Sequence, residues 1–373
     1  MTTDKIAARE IIESLRKGQV PIIGVDEFLV DRTGEINSLG EDLEYVKSGS
    51  IGYKSRYLRG HYGSGKTFLL HYLLGKALQS NFVTSLVVLD NRENRLDRLE
   101  NVYRNIMENL ESPRLNKGAN ALAEILGNWN KVHLKDGARW LTMHDQRFAF
   151  APSAPYFGTV LFQYFSNPAF QSDIISWLMG GQNISFAVKR LFGVRGEIDQ
   201  DTCMNYLAAL TSMITESGYA GLVILIDEAE SILKLPRHVG TLNALENIRM
   251  LDDNTKYRLK HAYVVFAGTY DFFDTAIPLY PALNERLKSV VDSKSYRQPI
   301  IDLDTMPSEE RVELLRKIES IYLSAYDSFT GSASPQLQAE PYASQHDGQS
   351  QDARETIRKF IAHLDGVYGS ISL

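Results

Sequence analysis

The chain has 373 residues, 44% of them hydrophobic and 23% charged, with a formal net charge of -6. That length supports one large or two medium domains around a substantial core. The acidic balance gives no electrostatic ground for nucleic-acid binding by the chain as a whole, although Lys54, Arg56, Arg59 and His61 cluster locally. A single cysteine, Cys203, excludes an internal disulfide framework, suits a reducing cytosol and reads as a buried structural thiol. The amino terminus lacks a signal-like apolar stretch and no run reaches membrane-spanning length. A cytoplasmic protein that does not engage a membrane is therefore expected.

Taken in chain order, residues 4–16 set Ala8, Ile11, Ile12 and Leu15 at helical spacing, with Gly18 as the stop. The extended stretch Phe28-Leu29-Val30 precedes a second helix over 35–47. A strand-like run, 54–59, then leads into Gly60-His61-Tyr62-Gly63-Ser64-Gly65-Lys66-Thr67 and Phe68. This is a complete G-x-x-x-x-G-K-[ST] phosphate-binding loop. Its glycines let successive N–H groups turn toward phosphate oxygens. Lys66 reaches the β/γ-phosphates, and the Thr67 hydroxyl suits Mg²⁺. Behind the loop, Phe68, Leu69, Tyr72, Leu73 and Leu74 mark a helix whose N-terminus favours the bound anion. Leu29, Val30 and Arg32 read either as an adenine pocket or as ordinary core.

Residues 83–90 form a nearly continuous apolar strand of the kind buried in a parallel sheet. A helix-rich region over 91–217 follows and holds Trp129, Trp140 and Trp177, together with the loop-like Ala151-Pro152-Ser153-Ala154-Pro155. Its aromatics suggest a second small core; a stacking platform for bases is the rival reading. Leu222 to Ile226 is a fully apolar strand ending in Asp227-Glu228-Ala229-Glu230, and Ala262 to Ala267 is another, ending in Gly268-Thr269. A last strand is expected at 299–303 and an amphipathic helix at 307–323. Polar residues dominate 328–353, which reads as a flexible insertion before a short helix, 354–364.

Five apolar residues followed by Asp-Glu form a Walker B pattern. The strand is apolar because it lies mid-sheet, and its C-terminal end meets the ligand crevice of an open α/β sheet. There Asp227 can hold Mg²⁺ opposite Thr67, and Glu228 can polarise the water that attacks the γ-phosphate. Glu230 is given no role beyond that of a first-turn helix acid. Thr269, at the end of the next strand, either orients water and γ-phosphate or merely ends a strand. Arg286, with Arg297 in reserve, either reaches a neighbouring subunit's ATP or is a salt-bridged helix-end cation.

These motifs resemble the ATP-binding proteins of bacterial phage-exclusion (BREX) systems, the BrxC/BrxD-like P-loop group related to AAA+ and ORC/Cdc6 ATPases. The resemblance rests on Leu58 to Phe68, on Arg98 to Leu110, and on Gly218-Tyr219-Ala220-Gly221-Leu222 through Asp227-Glu228-Ala229-Glu230. It continues in Phe266-Ala267-Gly268-Thr269 and Leu283 to Leu287, and covers about residues 5–325. It implies an AAA+-like ATPase with a small helical lid, working beside methyltransferase, phosphatase-like or helicase partners in phage defence, near DNA; a homo-oligomer is expected only if Arg286 reaches a neighbour's ATP. Relatives carry a basic, γ-phosphate-sensing motif in the last lid helices; no equivalent is recognised before Gly369-Ser370-Ile371-Ser372-Leu373.

The expected fold is an α/β P-loop NTPase of AAA+-like type, a parallel sheet flanked by helices. Residues 1–90 carry the N-terminal helices and the phosphate-loop half, 91–217 a helical insertion, and 218–303 the Walker B half. Residues 304–373 form a small α-helical lid. ATP and Mg²⁺ are the expected cofactors, and hydrolysis is the expected activity. The rival is a nucleotide-gated scaffold of STAND type with little turnover.

Overall fold

The structure, a computed structural model, describes residues 4–21, 24–30, 32–133, 154–182, 184–256, 258–288, 296–303, 306–326, 337–345 and 352–369. The chain opens with α1 (Lys5–Arg16) and α2 (Thr33–Ser48), then β1 (Tyr53–Arg59), α3 (Lys66–Gln79) and β2 (Val83–Val88). Next come α4 (Leu99–Glu108), β3 (Leu110–Glu111), α5 (Gly118–His133), α6 (Phe157–Ser166), α7 (Gln171–Leu178), α8 (Phe186–Leu191) and α9 (Cys203–Glu216). Strands β4 (Leu222–Asp227) and β5 (Ala262–Gly268) flank α10 (His238–Asp253). The chain continues through α11 (Pro281–Leu287), β6 (Ile300–Asp302), α12 (Ser308–Tyr326), α13 (Ala339–Gln345) and α14 (Ala353–Gly369). It divides into two compact units. Unit 1 comprises Met1–Asn37, Leu58–Leu73 and Asp302–Leu373; unit 2 comprises Ser38–Tyr57 and Leu74–Ile301.

Unit 2 is built on the sheet, of order β3-β2-β4-β5-β1-β6, with the last residues of β1 and β6 counted in unit 1. Strands β2, β4 and β5 run parallel, with Val83 opposite Leu222 and Leu222 opposite Ala262. Every residue of β4 and β5 is buried, which explains their unbroken apolar sequence. The short β3 adds an antiparallel edge to the expected parallel sheet, pairing with β2 through Glu111 and Thr84. Two residues between helices carry no periodic signal, yet they occupy backbone groups that an edge strand would otherwise expose.

Among the described residues, the region over 91–217 has no separate core. Trp129 and Trp177 lie in one continuous cluster with Val83, Val87, Ile224 and Phe266 of the sheet. Trp129 stacks on Phe165 at 5.6 Å, and its Nε1 donates to Glu216 at 2.9 Å. Both rings are buried, so neither offers a face to a nucleic-acid base. Trp140 lies outside the described residues. The local basic cluster is also engaged internally. Arg56, buried in β1, donates to both carboxylate oxygens of Asp42 at 2.5 and 3.1 Å. In unit 1, Arg59 does the same with Asp302 at 2.5 and 2.9 Å. Paired charges of this kind make no phosphate track.

Unit 1 gathers the N-terminal helix with the C-terminal ones. Ala8, Ile11, Ile12 and Leu15 of α1 are buried in a core shared with Leu315 and Ile318 of α12 and Phe360, Ile361 and Leu364 of α14. Each such Leu or Ile contributes about 1.5–3 kcal/mol by leaving water, so α1 is integral to this core. The segment expected to be flexible contains α13, whose Ala339 and Tyr342 are buried. Fully buried Glu319 of α12 holds it, accepting the N–H groups of Gln338 at 2.7 Å and Ala339 at 3.1 Å. A carboxylate capping a helix start is favourable, and so polar a stretch gives little periodic warning of it. No helix among the described residues is long and apolar enough to cross a membrane.

Candidate functional site

The phosphate loop belongs to unit 1. Gly63 and Gly65 adopt φ of +77° and +91°, a left-handed backbone that side chains disfavour. The Ser64 N–H donates to the His61 carbonyl at 3.2 Å, closing the turn, and α3 starts at Lys66. The first amides of a helix have no intrahelical acceptor and suit an anion. Lys66 is buried, and its Nζ donates to the Gly60 and His61 carbonyls, each at 2.9 Å. Its ammonium also lies 5.6 Å from the ring centre of Tyr62, an exposed side chain. Thr67 stands in the first turn of α3, and Phe68 packs 5.2 Å from Phe28. His61 is exposed, whereas Ser64 is buried against the loop's own backbone.

Arg32 is placed more tellingly than its sequence suggested. Its buried guanidinium donates to the Ser64 carbonyl at 2.7 Å and to Glu35 at 3.3 Å. It therefore supports the loop backbone from the segment considered for an adenine pocket. Val30 of that segment packs into the unit 1 core.

The residue before α14 also meets the loop within unit 1. A Cβ on Gly63 would come within 2.2 Å of Asp352 Oδ1, so only glycine admits this approach. Asp352 also accepts the Arg354 N–H at 2.8 Å, capping α14. Arg354 stands in the first turn of α14, and its side-chain stem lies beside Gly18.

The Asp-Glu pair belongs to unit 2. Asp227 ends β4, is 3% exposed, and accepts the Glu228 N–H through Oδ1 at 2.9 Å. Glu228 sits at φ 59°, ψ 40°, a left-handed conformation that is uncommon for a residue with a side chain. Strain of this sort clusters at active sites, where the surrounding structure over-determines it. In the sheet order, β5 lies between β4 and β1, so Thr269 follows the strand between the two motif-bearing ones. Thr269 is buried, and its Oγ1 has no hydrogen-bond partner among the described residues. Glu230 is buried too, and its Oε2 accepts the Thr269 N–H at 3.1 Å. This bond was not legible as sequence, where Glu230 read as no more than a first-turn helix acid.

Both candidate arginines lie in unit 2 and are paired within the chain. Arg286 of α11 meets Asp253 of α10, which also accepts from Arg249 at 2.7 Å. Arg297 lies 3.7 Å from Glu41, both largely exposed. The geometry thus supplies the helix-end ion pair directly, while leaving the Arg286 side chain 42% exposed.

The donor sets suit their expected ligands. A glycine-lined loop with a buried ammonium fits a polyphosphate, and the Thr67 hydroxyl of unit 1 and the Asp227 carboxylate of unit 2 are each, taken separately, the kind of oxygen donor that a hard cation takes.

Among solved structures, the chain is similar to the ORC2 protein of Aeropyrum pernix, determined as ADPNP and ADP complexes. Identity is 12%, over 89% of this chain and 67% of that one, with a TM-score of 0.37. No curated protein matches the chain. The family model described as "BREX system ATP-binding protein BrxC/D" matches residues 4–148 and 151–370. The chain belongs to that family of BREX ATP-binding proteins.

Proposed function

We propose that this protein is a Mg²⁺-dependent ATPase of AAA+-like type, a cytoplasmic component of a bacterial anti-phage system. In this reading it acts with partner proteins of that system, on or near DNA, as a homo-oligomer. The observation that carries hydrolysis, beyond binding, is Glu228, held in a strained conformation directly after the buried Asp227. The loop amides and Lys66 bind the triphosphate; Thr67 and Asp227 would hold Mg²⁺, which supplies charge neutralisation at the phosphates when bound. Glu228 takes the proton of the attacking water, and Thr269 orients water and γ-phosphate. Arg286 adds positive charge at a neighbouring copy's site once released from Asp253.

Steady-state phosphate release tests this. Chelation of Mg²⁺ should abolish turnover, and Glu228→Gln should cut it by roughly 10²-fold or more, the scale of general-base catalysis. Equal turnover in parent and variant would remove Glu228 from the chemistry.

One contact favours the second reading, a nucleotide-gated scaffold with little turnover. Asp352 of the lid lodges against Gly63 of the loop, where nucleotide and lid could exchange places. Full nucleotide occupancy with negligible steady-state hydrolysis in the parent would select it.

A further inference from the structure

Glu230 has no part in metal binding or water activation as proposed above. A helix-start acid placed for the dipole alone would stand in water. This one is 5% exposed, and it reaches across from the turn after β4 to the residue after β5. Burying a carboxylate is costly unless hydrogen bonds compensate, and here the compensating bond spans two strand ends.

Each end of that bond carries a group with a proposed task. Glu228 and Glu230 belong to one tight turn, in which the Ser231 N–H donates to the Glu228 carbonyl at 2.9 Å. At the other end, Thr269 is 4% exposed, with the backbone packed closely behind it: a Cβ on Gly268 would meet the Phe272 ring at 3.0 Å. A buried hydroxyl without a partner keeps its desolvation penalty uncompensated. The Thr269 hydroxyl is such a group, on a residue whose N–H is pinned by Glu230.

We propose that Glu230 is a positioning residue: it grips the Thr269 N–H, fixes the Thr269 hydroxyl for the γ-phosphate, and locks that residue in register with Glu228. This rests on the ATPase reading. It assigns to Glu230 no contact with nucleotide, metal or water.

The test uses Glu230→Met, which fills similar space but accepts no hydrogen bond, and Glu230→Gln, whose amide oxygen still accepts. Both are compared in the parent and in a Thr269→Ala background, with folding checked by thermal melting. Glu230→Met should lower kcat by roughly 10²-fold, the scale of a misplacement of about 1 Å. KM for ATP should change little, while the preference for ATP over ADP in equilibrium binding should shrink. Glu230→Gln should recover most of the turnover. Once Thr269 is alanine, Glu230→Met should cost little more, because the group it positions is gone.

Multiplicative losses in the double variant would overturn the proposal, as would Glu230→Gln as inactive as Glu230→Met. Should Glu230→Met not fold, Glu230→Gln and Thr269→Ala decide it: the first must stay active and the second must lose ATP-over-ADP preference. Failure of the underlying reading looks different. There, Glu228→Gln would match the parent whatever residue 230 is.

Discussion

In the phosphate loop of unit 1, cations hold carbonyls: Arg32 takes the Ser64 oxygen, and Lys66 takes those of Gly60 and His61. At the strand ends of unit 2, carboxylates hold amides: Asp227 takes the Glu228 N–H, and Glu230 takes that of Thr269. Tying back carbonyls leaves N–H groups to face a ligand, which suits an anion. Tying down amides leaves oxygens, which suit a cation or a water molecule. The supports differ as well. The loop relies on glycines at positive φ, whereas the strand ends sit on two strands buried along their whole length. In the proposed reading the loop serves affinity and the strand ends serve turnover.

The largest expected effect is on affinity. Lys66→Ala should abolish tight ATP binding, since a triphosphate loses its main charge-assisted partner. Equilibrium titration checks this, and parental affinity in the variant would break the comparison at its stronger side. The next effect belongs to turnover. Arg286→Ala should bind ATP normally yet lose hydrolysis, by about 10³-fold on the scale of trans-acting arginines. Mixing it with Glu228→Gln subunits should restore activity at interfaces that pair an intact Glu228 with an intact Arg286. Without rescue in confirmed mixed assemblies, Arg286 serves only its pair with Asp253, where an exposed ion pair contributes about 0–1 kcal/mol.

A smaller effect would sharpen the contrast. Arg32→Ala removes a charged hydrogen bond of about 1.5–3 kcal/mol from the loop backbone. ATP affinity should weaken by roughly ten- to a hundredfold, with kcat falling much less. A kcat loss with unchanged affinity would move Arg32 to the side of turnover.

Much of this was legible because backbone needs dictate residue type. Gly63 and Gly65 announce positive φ, and the apolar run before Asp227 announces a strand buried on both faces. Side-chain reach over long sequence separation left no such mark. Glu230 bonds an amide after β5, and Arg32 bonds a carbonyl in the loop, with nothing in local spacing to show either. Likewise α1 joins the C-terminal helices in one core, although its amphipathic face reveals only that it packs somewhere. The two-residue β3 and the polar α13 were hidden because neither is long or apolar enough to set a period.

The most direct test of the account is the identity of the nucleotide retained after ATP and Mg²⁺ are incubated with parent and Glu228→Gln. Acid quench and chromatography read it in one step. The account predicts ADP from the parent and ATP from the variant, with similar occupancy. ATP from both would show a protein that binds without hydrolysing, and ADP from both would place the base elsewhere than Glu228; either result contradicts it.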